Sequence, residues 1–339
     1  MADKEPFVMH LYTADPSAHV FNGKLYVYPS HDRETDIKNN DNGDQYDMND
    51  YHVFSMDDVD GPVTDHGVAL KAEDVPWVSR QLWAPDAASK NGKYYLYFPA
   101  RDKDDIFRIG VAVGDKPEGP FKAEPDHIKG TFSVDPAVFV DDDGQAYLYF
   151  GGLWGGQLQC YADGDFDQSQ VGANEPSTGS ALHAKVAILS DDMLSLAGDI
   201  SDVVIQDPAT KEPIAAGDHA RRFFEAAWLH KYRGKYYFSY STGDTHLLAY
   251  AIGDSPMGPF TYGGTILEPV VGWTTHHSIA EFKGRWYLFY HDSSLSGGEN
   301  HLRSAKIREI VYDAEGKIHL AEPQPKIEPP AARLEEEGS

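Results

Sequence analysis

Short apolar runs, each opened by a glycine turn, recur along this chain, while convincing helical periodicity is scarce. Five copies stand out: GKLYVYPSHD from Gly23, GKYYLYFPAR from Gly92, GQAYLYFGG from Gly144, GKYYFSYST from Gly234 and GRWYLFYHD from Gly284. Each is too short for a helix and reads as a buried strand. A second element repeats behind them as a Gly-Pro turn, in DGPV at Asp60, EGPF at Glu118 and MGPF at Met257. The unit is therefore a small antiparallel meander repeated five times, which predicts an all-β fold, a five-bladed β-propeller. A β-sandwich also needs many strands, but it does not require five copies of one hairpin. The last blade can be assembled from 277–282, 286–291, 302–312 and 317–321, with no strand borrowed from the N-terminus. Residues 1–325 are expected to form one propeller domain, and 326–339, which ends in AARLEEEGS after the proline-rich EPQPKIEPP, read as a tail or cloning remnant.

Charge narrows the partners. With 29 basic and 54 acidic residues the chain carries −25 at neutral pH, which repels nucleic acid phosphates and anionic lipid over the whole surface. No stretch approaches a membrane span, and no charged-then-apolar leader opens the sequence, so a cytoplasmic location is expected. The single cysteine, Cys160, excludes an internal disulfide and reads as a small buried hydrophobe. Nothing in the sequence indicates an oligomeric state.

In a propeller the innermost strands line a central channel, and the segments just upstream of the five repeat glycines should supply them. They read ADPSAHVFN, WAPDAASKN, VDPAVFVDDD, FEAAWLHKYR and THHSIAEFK, each with one ionisable residue near its start: Asp15, Asp86, Asp135, Glu225 and His276. Taken singly, an Asp beside Pro is a common turn former. Taken together the five recur in phase with an independent repeat, and four carboxylates with an imidazole are expected to face one pocket. Like charges in a partly desolvated pocket resist joint ionisation, so at least one carboxyl keeps its proton. A protonated acid beside an ionised base is what cleavage of a glycosidic bond requires. Aromatics beside the acids, Trp83, Phe224, Trp154 and Trp273, can offer apolar faces to a sugar ring.

At these residues the chain resembles glycoside hydrolase family 43, five-bladed propeller enzymes acting on xylose- and arabinose-containing saccharides, over nearly all of residues 12–322. ADPS is similar to the family's first-blade motif, which implies that Asp15 is the general base. SVDPAVFVDDDG resembles the segment whose Asp orients the acid and modulates its pKa, hence Asp135. FFEAAWLHKYRGKYY resembles the general-acid segment, hence Glu225. WAPD resembles a subsite segment, implying that Trp83 and Asp86 bind substrate. THHSI resembles a Gly-His-x-Ser segment, which places His276, with His277 as second choice, at a channel histidine associated with a metal; a calcium ion held mostly through water is expected there. Arg303 in HLRSAKI resembles a last-blade arginine that reaches the site. Two departures stand out: Ala226 follows the acid and Thr275 precedes His276, where the family commonly has glycine.

The resemblance implies single displacement with inversion. An exo-acting β-1,4-xylosidase releasing xylose from xylo-oligosaccharides, with α-L-arabinofuranosidase activity, is the first expectation; a predominantly arabinofuranosidase enzyme is the second. The long polar insert that begins at His31 would favour exo-action if it blocks the channel end. A non-catalytic sugar-binding propeller would use the same aromatics without needing the acid and base. A phosphorylase would need basic residues near the site, for which only Arg303, Arg221 and Arg222 are candidates. A scaffold for protein partners would leave the acid cluster unexplained.

Overall fold

The computed structural model describes residues 4–322, so the expected tail at 326–339 lies outside the described residues. Five antiparallel sheets form the blades of a five-bladed β-propeller. Blade 1 is β1 (Tyr12–Phe21), β2 (Lys24–Asp32), β3 (Asp50–Met56) and β4 (Thr64–Lys71). Blade 2 is β5 (Asp86–Lys90), β6 (Lys93–Arg101), β7 (Phe107–Gly114) and β8 (Lys122–Ala123). Blade 3 is β9 (Ala137–Val140), β10 (Ala146–Phe150), β11 (Ala184–Ile188) and β12 (Ser201–Val203). A short β13 (Ile205–Gln206) adds in parallel to the outer edge of blade 4, which is β14 (Glu225–Tyr232), β15 (Lys235–Ser241), β16 (Leu248–Gly253) and β17 (Phe260–Leu267). Blade 5 is β18 (His277–Phe282), β19 (Arg285–Asp292), β20 (Ser304–Tyr312) and β21 (Ile318–Leu320).

The repeated motif has a backbone cause. All five repeat glycines have positive φ, from +72° at Gly92 to +84° at Gly144, and in four of the turns the preceding residue (Asn22, Asn91, Arg233 or Lys283) is left-handed too. Two successive positive φ values make the tight hairpin whose twist matches its strands, and glycine meets that demand without steric cost. The aromatic run that follows is the second strand of each blade, which is apolar because neighbouring blades cover both its faces. Tyr28, Tyr97, Tyr149, Phe238 and Phe289 are all buried. Apolar clusters fill the spaces between blades; the one joining blade 1 to blade 5 holds Ala18, Leu25, Val27, Phe282 and Phe289.

Blade 5 is built wholly from C-terminal strands, as the sequence predicts. Among the described residues the N-terminal segment adds no strand to it and touches its edge through the Phe7 N–H, which donates to the Ala305 carbonyl at 3.2 Å. Side chains complete the seam between the last and first blades. The Ser278 hydroxyl donates to the Pro16 carbonyl (2.6 Å) and accepts from the Ala18 N–H (2.9 Å).

Candidate active site

Residues at or just before the starts of the inner strands share one mouth of the channel, and later residues of those strands line a separate recess at the other end. The first mouth is a cavity of about 240 Å³ that gathers Asp15, Asp135, Glu225, His276 and Arg303. Local irregularity aims them. β1 carries a bulge between Ala14 and Ser17, and β14 carries one between Glu225 and Trp228. Asp15 (φ +50°), Asp135 (φ +58°) and Ala226 (φ +64°) are left-handed at equivalent places. A bulge turns a side chain out of the pleat, and left-handed non-glycine residues cost on the order of 1–3 kcal/mol each, which the surrounding packing must offset. At Ala226 the family's usual glycine would adopt this φ freely; Thr275 has no such φ, and nothing in its backbone requires glycine.

The carboxyls are unequal in their hold on protons. Burial pushes Asp15 up, but the Arg303 guanidinium, His276, His291 and the Ser30 hydroxyl outweigh it and hold the group at about 2. Arg303 Nη1 lies 3.2 Å from Asp15 Oδ1, and Ser30 donates to Asp15 Oδ2 at 2.6 Å. The His291 contribution fades near neutrality, because burial and Arg303 keep that imidazole neutral, with its pKa lowered to about 3. Its Nδ1 accepts from the Asp15 N–H at 3.0 Å, which puts the ring proton on Nε2, directed at the Thr274 carbonyl 3.1 Å away. Arg303 is thus the durable counter-charge. It is itself anchored by Asp32, which accepts from its Nε and Nη2 at 2.8 Å each.

Glu225 lies at the other extreme. Burial raises its pKa well above the ordinary value, and the negative charges of Asp135 and Asp15 raise it further against the pull of Arg303. Asp135 is also raised, to about 6, by burial and by Asp15. Its ionised form has support that Glu225 lacks, because Asp135 Oδ2 accepts from the Ala226 N–H at 2.8 Å and lies 3.9 Å from His276 Nδ1. A proton shared by this pair therefore resides on Glu225.

Aromatic side chains form the walls. Trp154, Phe224 and Trp273 pack against one another with ring centroids 5.4–5.7 Å apart, and all three line the cavity. Opposite them, Trp83 donates its Nε1–H to the Tyr46 carbonyl at 2.8 Å. Tyr46 belongs to the insert between β2 and β3, which the sequence leaves as an open question. The insert folds over the mouth and lines it with Asn39, Asn40, Gln45, Tyr46 and Met48.

Asp86 requires a correction. It does not line the cavity and is fully buried; its Oδ1 lies 2.6 Å from His19 Nε2, and its Oδ2 accepts from the Val138 N–H at 2.6 Å. It ties the inner strands of blades 1, 2 and 3 together below the site. The residue at the channel mouth in blade 2 is Ala84, which precedes Pro85 as Asp15 precedes Pro16 and Asp135 precedes Pro136. His277, the second choice for a metal, is also buried outside the cavity, with its Nε2 2.6 Å from the Ser239 hydroxyl. Arg221 and Arg222 do not reach the cavity either; Arg221 pairs with Asp207 and Asp218, and Arg222 with Glu175 and Asp244. Asp32, Ser30, Thr274 and His291 are site residues that sequence reasoning missed.

His276 offers a hard cation little besides one imidazole. Its Nδ1 lies 3.4 Å from Asp15 Oδ1, an oxygen already engaged by Arg303. This donor set fits an ion held mainly through waters, with one direct protein ligand, and not an all-protein oxygen cage.

Comparison with known proteins bears on this geometry. Residues 6–318 match the model of glycosyl hydrolases family 43. The chain is 70% identical to xylosidase/arabinosidase 43A of Humicola insolens, over 94% of this chain and 99% of that protein. It is 60% identical to a xylosidase/arabinosidase of Bacteroides ovatus, over 91% and 94% of the two chains. Among solved structures it superposes with a TM-score of 0.91, at 60% identity over 94% and 96% of the chains, on the β-xylosidase/α-arabinofuranosidase CoXyl43 from a compost microbial metagenome, a calcium-free form in complex with xylotriose.

Proposed function

The chain belongs to glycosyl hydrolase family 43, and from that premise we propose that it is an inverting exo-β-1,4-xylosidase that releases xylose from xylo-oligosaccharides and also cleaves α-L-arabinofuranosides. The observation that carries this reading is one cavity holding two carboxyl groups of opposite proton affinity, Asp15 at about 2 and Glu225 raised well above the ordinary range. Similarity to enzymes named for both sugars supports the dual substrate class. The insert, which lines the channel mouth, supports release from a chain end because it walls one side of the site.

Asp15, ionised and aimed by Arg303, Ser30 and the His291 acceptor, takes a proton from the attacking water as the C–O bond forms at the anomeric carbon. Glu225 gives its proton to the departing glycosidic oxygen in the same step. Asp135 keeps Glu225 protonated between turnovers by adding negative charge beside it. The aromatic walls exclude water and present flat apolar faces to the sugar rings. A calcium ion held mainly through water, with His276 as its direct protein ligand, would supply a fixed positive charge beside Asp15 and Asp135.

Proton NMR of xylobiose hydrolysis, recorded before mutarotation, tests the reading. The first xylose released is expected as the α-anomer, and Asp15→Ala and Glu225→Ala should each lower kcat on xylobiose by roughly 10²–10⁴-fold. β-Xylose as first product, or near-normal turnover in either variant, refutes it.

A further inference from the structure

Outside the cavity, blade 1 brings together His31 near the end of β2 and Asp50 and His52 at the start of β3. One ligand atom from each lies within 4.8 Å of the others. His31 Nδ1 is 2.5 Å from Asp50 Oδ1, and the two imidazoles meet edge to face with centroids 4.9 Å apart. Their side chains are 20%, 27% and 14% exposed in that order, so the cluster is sheltered but open to ions. We propose that His31, Asp50 and His52 form a binding site for a divalent transition-metal ion of the zinc class, which clamps the two ends of the insert that walls the substrate cavity.

The donor set selects the ion. Two imidazoles and one carboxylate suit zinc and its neighbours, whereas calcium prefers oxygens. Ligands about 2.1 Å from a tetrahedral ion stand about 3.4 Å apart, so modest side-chain adjustment closes the cluster and leaves a fourth position for water. Further contacts prepare His52 for the role. Its Nδ1 lies 2.9 Å from Asp65 Oδ1, an oxygen that also accepts from the Gly67 N–H at 2.8 Å. A carboxylate on Nδ1 fixes the tautomer and leaves the Nε2 lone pair for a metal. The second Asp65 oxygen lies 2.8 Å from His10 Nε2, which draws in the segment before β1. Asp50 and Asp65 make the surroundings anionic, with Lys71 among the charges that act on Asp50.

His31 and Asp50 stand at the two ends of the 33–49 insert, which supplies Tyr46, Gln45 and Met48 to the cavity wall. An ion held between them restrains both ends of that segment without touching substrate. This role is separate from the calcium expected at His276, which sits in the cavity itself.

Calorimetric titration of zinc chloride into the full chain, freed of metals by a chelator, tests the proposal. One zinc per chain is expected, with affinity at least tenfold weaker in His52→Ala and in the near-isosteric Asp50→Asn, and unchanged in His276→Ala. Hydrogen exchange of residues 33–49 should slow on zinc addition in the parent chain and in neither cluster variant. If His52→Ala does not fold, Asp50→Asn carries both measurements. The proposal is overturned by no zinc binding, by equal binding in the folded cluster variants, or by calcium competing at equal concentration.

Discussion

Asp135→Asn should make the protein more stable and less active at once. Burial and the negative charge of Asp135 both raise the Glu225 pKa, so removing that charge should lower it. The proposed acid must be protonated to act, so the alkaline limb of kcat/KM should move to lower pH, with kcat at pH 7 falling accordingly. Stability moves the other way. Asp135 is raised from 3.8 to about 6 in the fold, so ionising it opposes folding, progressively as pH rises from 4 and fully above 6. At 1.36 kcal/mol per pH unit the burden at pH 7 is on the order of 3 kcal/mol as an upper bound, and the asparagine escapes it. Asn also retains an oxygen for the Ala226 N–H. The assay pairs pH–rate profiles on an aryl β-xyloside with urea unfolding at pH 5 and pH 7. The parent should lose stability between those two pH values and the variant should lose less. An alkaline limb that stays in place, or a variant less stable at pH 7 than the parent, refutes the assigned electrostatics.

Asp86→Ala should destabilise the fold by about 3 kcal/mol, because it leaves the buried Val138 N–H unpaired and frees His19; KM of the folded enzyme should stay within twofold, and a large KM effect would return Asp86 to the substrate site. Gly243→Ala would place a Cβ 2.2 Å from the Phe224 ring at φ +72°, so the aromatic wall must shift; KM should rise more than kcat falls, and unchanged kinetics would remove that wall from the binding site. Exhaustive chelation should lower turnover, with recovery on adding calcium, and His276→Ala should abolish the calcium response; full activity after chelation excludes a functional ion.

The repeat phase made most of the site legible. Asp15 and His276 each stand eight residues before their repeat glycine, and Asp135 and Glu225 nine, a near-constancy that reflects inner strands each running from the channel mouth to a hairpin at its repeat glycine. The same spacing pointed away from Asp86, which stands six before Gly92, and toward Ala84 at eight. Shared acidity obscured that two-residue offset, which is one full pleat and turns the carboxylate into the channel below the mouth. Asp32 and His291 were less visible because they sit at the ends of second strands. The only signal was that the first and last repeats both end in His-Asp. The insert was opaque for another reason: its polar sequence reads as solvated loop, and only the folded chain shows that Tyr46 lies beneath the Arg303 guanidinium, 4.9 Å from ring centroid to charge.

The ring closes where the chemistry is. Asp15 comes from the first blade, and His291 and Arg303 come from the last, so the contacts that hold the proposed catalytic base also fasten the first blade to the last. Among the described residues no shared strand backs up that latch. Slight parting at this joint would leave every blade intact and the enzyme dead, so inactivation on warming should run ahead of any loss of circular dichroism signal.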